Sequence, residues 1–188
     1  MNNLWPTPVL LEKITDIFTL DETVNELLST VNLSKPPSDF QNFDILADGG
    51  LVFNKFRKNI VEPALDNYLT EIYGFPLAST NYSLRSWIAG SGYSYMIPMH
   101  NHSGSAVSAI FYLLCEESSN GGELILTDPR TNANRGYIDS MKTPFAPETF
   151  LPASGDVIVF PSYLYHQTLP FTGTLRLAMP VDLFIHGN

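Results

Sequence analysis

Cysteine is almost missing from this chain. Cys115 is the single one in 188 residues, which excludes an internal disulfide and a cysteine-based zinc site and points to a reducing, cytoplasm-like compartment. Positive charge is scarce too: ten Lys and Arg stand against nineteen Asp and Glu, for a formal net charge of −9. That balance argues against a nucleic-acid partner, because phosphate-backbone binding needs a basic face. The small basic cluster of Lys55, Arg57 and Lys58 reads as the solvated face of a helix. Uncharged apolar runs fall far short of a bilayer span, so no membrane segment is expected. The opening "MNNLWPTPVLLEKITDIF" has no basic stretch ahead of an apolar block, so no secretory signal is expected. Histidine is rare as well, at four.

What is present is a globular composition, 44% hydrophobic, with fourteen prolines and twelve glycines lying mostly between apolar runs. The length suits one domain with a sizeable core, spanning 1–188. Two helical segments come first, as support over about 20–74. Asp21 is positioned to cap a short helix reaching about Asn32, with Val24, Leu27 and Leu28 on one face; Pro36 and Pro37 follow. In "LVFNKFRKNIVEPALDNYLTEIYG", Phe53, Phe56, Ile60, Leu65, Leu69 and Ile72 recur at near-helical spacing. Gly74 supplies a stop, and Pro63 a kink or split. From Asn81 the texture becomes alternation punctuated by turns. "YSLRSWI", "YSYMI", "AVSAIFYLL", "ELILTD", "DVIVF", "YLYHQTL" and "TLRLAMPVDLFI" read as strands. Residues 131–146 read as a long loop near a site. The pattern predicts a mainly β protein with N-terminal helices: a double-layered barrel or jelly roll over about 81–186, braced by helices.

Two of the four histidines, His100 and His102, are one residue apart just before a strand. On extended backbone, alternate side chains share a face, so both imidazoles would point the same way and could bind one divalent transition metal. A third ligand must come from elsewhere, and His166 is the natural candidate; His186 lies near the C-terminus and reads as solvated. The competing reading is that the pair only hydrogen-bonds backbone or water. Arg176 stands ten positions after His166, across a turn. In "TLRLAMPV" it alternates with Leu175, Leu177 and Met179, and so shares a face with Ala178 and Pro180. If that face is interior, its guanidinium needs an anionic partner, such as a carboxylate ligand. If it is an exposed edge, no partner is called for. Trp87 reads as core packing, and Tyr95 as strand packing or site lining. Asp128 and Arg130 form a pair at a pocket mouth or a turn salt bridge. The glycines of "SNGGEL" read as a hairpin turn with no phosphate role.

Taken together, "LWPTPVL", "RSWIAGSGYSYMIPMHNHSGSAVSAIFYL", "LTDPR" and "LPASGDVIVFPSYLYHQTLPFTGTLRLAMPVDLF" resemble the 2-oxoglutarate- and Fe(II)-dependent oxygenases of the prolyl-hydroxylase-like superfamily. They resemble especially the small oxygenases common in phages and marine bacteria. The resemblance implies a double-stranded β-helix of cupin-like form. It implies Fe(II) held by His100, His102 and His166, and 2-oxoglutarate gripped at its far carboxylate by Arg176. Tyr112, on a strand face with Ser108, resembles a position lining the 2-oxoglutarate pocket; otherwise it is a core tyrosine. O2 and an unnamed substrate complete the reaction, a hydroxylation releasing succinate and CO2. The superfamily usually has Asp or Glu where His102 stands. Either three histidines hold the iron, or His102 stands behind the ligands and Asp128 or water completes the set. Imidazole in place of carboxylate leaves the iron centre one unit more positive.

Two rival readings differ in class. A cupin-type metal-binding enzyme or module would share the barrel and the histidines without 2-oxoglutarate. It expects a Glu shortly after the His-x-His pair, where this chain has Ser103, Gly104, Ser105 and Ala106, and it gives Arg176 no task. A non-catalytic phage-derived jelly-roll protein would use none of these residues chemically.

Overall fold

The structure is a computed structural model and describes residues 6–30, 44–92, 94–115, 121–130 and 147–187. Helix α1 spans Ile17–Thr30 and starts five residues earlier than a cap at Asp21 predicts. The capping residue is Asp16, whose carboxylate accepts from the Thr19 N–H at 3.0 Å and the Thr19 hydroxyl at 2.6 Å. The earlier start also brings Leu20 into the core. Leu20 and Leu27 are buried, while Leu28 is exposed. The expected end near Asn32, and Pro36 and Pro37, fall outside the described residues.

The second segment divides where Pro63 predicts, and in a specific way. A short α2 (Ile45–Asp48) and α3 (Leu51–Phe56) lead into a π-helical turn over Arg57–Val61, followed by α4 (Glu62–Tyr73). Proline has no N–H, and its ring crowds the carbonyl four residues back; the widened turn relieves that crowding and leaves Pro63 in the first turn of α4, where it is tolerated. Gly74 closes α4 with φ 75°, the left-handed conformation glycine adopts freely. Phe53, Phe56, Ile60, Leu65 and Leu69 are buried as the spacing predicts, but Ile72 is exposed. The basic cluster is a solvated helix face: Lys55 pairs with Glu22 at 2.7 Å and Arg57 with Glu62 at 2.8 Å.

The remaining strands form two antiparallel sheets. The strands are β1 (Leu10–Lys13), β2 (Asn81–Ser86), β3 (Ala89–Ser91), β4 (Val107–Cys115), β5 (Leu124–Leu126), β6 (Glu148–Phe150), β7 (Asp156–Pro161), β8 (His166–Thr168) and β9 (Arg176–His186). The larger sheet runs β1-β7-β4-β9-β2, with β3 also on β9; the smaller runs β6-β5-β8. This is the helix-braced, mainly β architecture expected. "YSYMI" is an exception: residues 94–97 form no strand, and Ser94 has φ 64°. The predicted loop 131–146 lies outside the described residues.

The central strands β4 and β9 pack opposite faces differently. Val107, Ala109 and Phe111 of β4, with Leu177, Met179, Val181 and Leu183 of β9, join the core beneath the helices. Phe111 meets Phe56 edge-on, ring centroids 5.8 Å apart. A bulge in β4 between Tyr112 and Leu114 then resets the alternation, so that Cys115 joins Tyr112 and Ile110 in the cluster on the other face. A second irregularity comes from Pro180, in the middle of β9. Its carbonyl accepts from the Trp87 N–H at 3.3 Å, but it has no N–H to give back. The ladder lapses there, separating β2 from β3.

Candidate active site

A cavity of about 320 Å³ lies on the second face of β4 and β9. Its walls follow the period of two. Arg176, Ala178, Pro180 and Asp182 of β9 line it, as do Arg85, Trp87, Ala89 and Ser91 on the chain running from β2 to β3. His100, His102 and His166 line it as well, with Tyr112 and Tyr95. Trp87 is therefore a wall residue, its ring 5.4 Å from that of His102, and not the core packing expected.

The histidines converge, though not from an extended strand. Only His100 is bridged, to His166 of β8: each backbone N–H donates to the other's carbonyl at 2.9 Å. Such a directly opposed pair puts both side chains on one face. His102 lies in the following loop, held by its N–H on the Ser162 carbonyl at 3.0 Å. Ring centroids are 4.3 Å apart for His100 and His166, 5.0 Å for His102 and His166, and 5.2 Å for His100 and His102. One ring nitrogen from each lies within 4.8 Å of the others.

Hydrogen bonding fixes which nitrogens those are. The Nδ1 of His100 contacts the Pro98 carbonyl at 2.8 Å, and that of His166 the Leu164 carbonyl at 3.0 Å. The Nδ1 of His102 contacts the Asp182 carboxylate at 2.6 Å. Carbonyl and carboxylate oxygens only accept, so each Nδ1 must carry its proton. In the neutral rings every Nε2 is then a lone pair. Burial depresses the pKa of His100 and brings that of His166 down to about 4, holding both neutral at pH 7. The His100 and His102 Nε2 atoms are 3.3 Å apart. Lone pairs facing one another at that distance repel, and a divalent cation among them removes the conflict. The donor set therefore fits a transition metal that takes imidazole.

Arg176 tests the fit of an organic anion. It is 3% exposed. Its guanidinium donates to the Gly122 carbonyl and, at 3.2 Å, to the Ser91 hydroxyl, and it lies 5.1 Å from the Phe171 ring centroid. Nε has no hydrogen-bond partner, and among the described residues no carboxylate pairs with the group. A buried cation with an unfilled donor on a cavity wall calls for a carboxylate. Gly122 has φ +75°, and a Cβ there would collide with the Arg176 guanidinium. This glycine gives the arginine room and an acceptor, a role beyond the hairpin turn predicted for it. Burial raises the pKa of Tyr112, which is 2% exposed, so its phenol stays protonated.

Asp128 is not in the histidine cluster. It forms a fork with Arg130, at 2.9 and 2.5 Å, as one of its two expected readings had it. The residues that pattern reading missed are Asp182, Ser108, Ser91 and Gly122. Asp182 had a signal: an acid between Val181 and Leu183, two residues beyond the last member of the Arg176, Ala178, Pro180 face.

A family described as "Putative 2OG-Fe(II) oxygenase" matches residues 85–182, just over half of the chain. The chain belongs to the 2OG-Fe(II) oxygenase family. The match covers every wall and cluster residue described above. No curated protein sequence matches the chain. Solved structures similar to it include a Pseudomonas putida prolyl-4-hydroxylase, with TM-score 0.68 and 14% identity over 96% of this chain and 94% of that one. HygX from Streptomyces hygroscopicus, solved with nickel and 2-oxoglutarate bound, has TM-score 0.60 and 15% identity over 95% and 82%. A 2OG-Fe(II) oxygenase family oxidoreductase from Burkholderia pseudomallei has TM-score 0.54 and 17% identity over 73% of this chain. The chain spans 60% of that protein's length. At these identities the likeness shows the fold, a double-stranded β-helix. The family is one of oxidoreductases that use Fe(II), 2-oxoglutarate and O2. Among the described residues no helix is long and apolar enough to cross a membrane.

Proposed function

We propose that His100, His102 and His166 hold Fe(II), that Arg176 and Tyr112 anchor 2-oxoglutarate, and that the oxygenase hydroxylates a substrate entering the same cavity. The observation that carries this reading is the pairing, within one cavity, of three converging imidazoles with a buried guanidinium that no carboxylate among the described residues pairs. When bound, Fe(II) with 2-oxoglutarate and O2 supplies the oxidation: substrate C–H becomes C–OH, and 2-oxoglutarate leaves as succinate and CO2. The chain's own part is placement. The Nδ1 acceptors lock each imidazole so that Nε2 faces inward. Ser91 and the Gly122 carbonyl orient the Arg176 guanidinium on the wall where the cosubstrate's distal carboxylate would sit. Tyr112, protonated, offers a hydroxyl beside it. The apolar side chains of Ile110, Leu124 and Ala178 keep that part of the cavity dry, which strengthens each charged contact.

The Arg176 guanidinium also weighs against the cupin-type reading, which gives a buried cation nothing to bind. We read residues 1–188 as one domain of the small phage and marine-bacterial type, acting in a reducing, cytoplasmic setting; the single cysteine, buried and unpaired, supports that setting. Anaerobic addition of Fe(II) and then 2-oxoglutarate should produce a weak visible absorption band, followed by succinate release on admitting air. Arg176→Ala should bind Fe(II) normally and weaken 2-oxoglutarate by about 2–5 kcal/mol, the cost of removing one partner of a buried charge pair. Binding of 2-oxoglutarate unchanged in that variant would refute the assignment.

A further inference from the structure

His102 differs from the other two histidines in what stands behind it. Pro98 and Leu164 offer neutral carbonyls to His100 and His166. Asp182 offers His102 a carboxylate, with Nδ1 to Oδ1 at 2.6 Å and the two side chains 7% and 10% exposed. The same oxygen accepts from the Ser108 hydroxyl at 2.7 Å, and Ser108 is within 2.9 Å of the Ser162 hydroxyl. Arg85 stands opposite Asp182 across the β2–β9 pair, but among the described residues no lysine or arginine nitrogen lies within ion-pair distance of its carboxylate. A carboxylate set between Val181 and Leu183 in a central strand is costly to bury without an opposing charge. As a metal ligand, His102 would supply a hydrogen bond but no charge of its own. A cation on the far side of that ring would.

We infer that Asp182 is a positioning residue for the metal centre: it fixes the tautomer and orientation of His102 and returns, one residue removed, the negative charge that a three-imidazole set lacks. This rests on the proposal that the three histidines hold the metal. A carboxylate accepting from Nδ1–H makes the ring a better donor at Nε2 and holds it in one orientation. Where the superfamily has a carboxylate at the metal, this chain has an imidazole backed by one. The net charge of the assembly is then kept, while the group touching the metal is neutral. Ser108 and Ser162 hold Asp182 in place.

The test uses Co(II) in place of iron, titrated by its visible absorption into the metal-free full chain, followed by azide titration of the Co(II) form. Asp182→Asn is isosteric and leaves an oxygen to accept from Nδ1–H, so it removes charge with little change of shape; far-UV circular dichroism and melting establish that it folds. Co(II) affinity should fall about 10- to 100-fold, and azide affinity should rise several-fold because the centre has become more positive. A purely structural role would lower both together, and that result overturns the inference, as does Asp182→Asn binding both like the wild type. Should this variant melt below the working temperature, Asp182→Glu carries the test. It keeps the charge and displaces it, so Co(II) affinity should fall and azide affinity stay unchanged; an azide shift there refutes the role. Wild-type protein that binds no Co(II) would overturn the three-histidine proposal and this inference together. Wild-type binding with an indifferent Asp182→Asn would overturn this inference alone.

Discussion

Phe111 and Tyr112 are neighbours on β4 and face opposite ways. The Phe111 side is apolar and closed by helices, and its residues do one thing, which is to exclude water. The Tyr112 side shares its strands with that core, yet it carries Ser108, Asp182 and Arg176, and it opens into a cavity. The rigidity of the first face makes the polarity of the second affordable: strands pinned by large apolar contacts hold a buried guanidinium and a buried carboxylate at fixed positions. Stability and chemistry are thus separated by the pleat, one residue apart.

Three substitutions probe this separation. Phe111→Ala, on the closed face, should cost about 3–5 kcal/mol of folding stability, with the 2-oxoglutarate affinity of the folded fraction unchanged; chemical denaturation beside ligand titration checks both. A parallel loss of affinity would show that the faces are coupled. Gly122→Ala presses on the open face from outside the strand. A left-handed non-glycine residue costs about 1–3 kcal/mol, and the new Cβ displaces Arg176, so 2-oxoglutarate affinity should fall together with melting temperature. Tyr112→Phe is the mildest. Melting should hardly change, while 2-oxoglutarate affinity falls by about 0.5–1.5 kcal/mol, the net worth of one hydrogen bond, as isothermal titration would show.

The closed face was legible in the sequence because burial of large apolar side chains leaves a period. Phe53, Phe56 and Leu69 announced the helices, and Leu177 and Met179 the inner face of β9. The open face was legible wherever residue type is rare. Histidines and one arginine in apolar surroundings stood out, and the stretches that carry them resemble a known family. What the pattern concealed depends on backbone detail. Asp16 rather than Asp21 caps the first helix, and the earlier start puts Leu20 into the core. The His-x-His pair converges through a bridge to β8 and a loop, which alternation alone does not describe. Gly122 looked like a turn because its value lies in what approaches it. Asp182 was within reach: carrying the Arg176 face one step beyond Pro180 arrives at it.

The lapse in pairing at Pro180 divides the cavity wall into two lengths of chain that are anchored to β9 separately. The length carrying Ser91 steadies the arginine reserved for the cosubstrate. The length carrying Arg85 borders the exposed part of the cavity. Substitutions at Arg85 would therefore reshape the entrance while leaving the deeper grip undisturbed, a seam along which such a scaffold can change what it oxidises without relearning how.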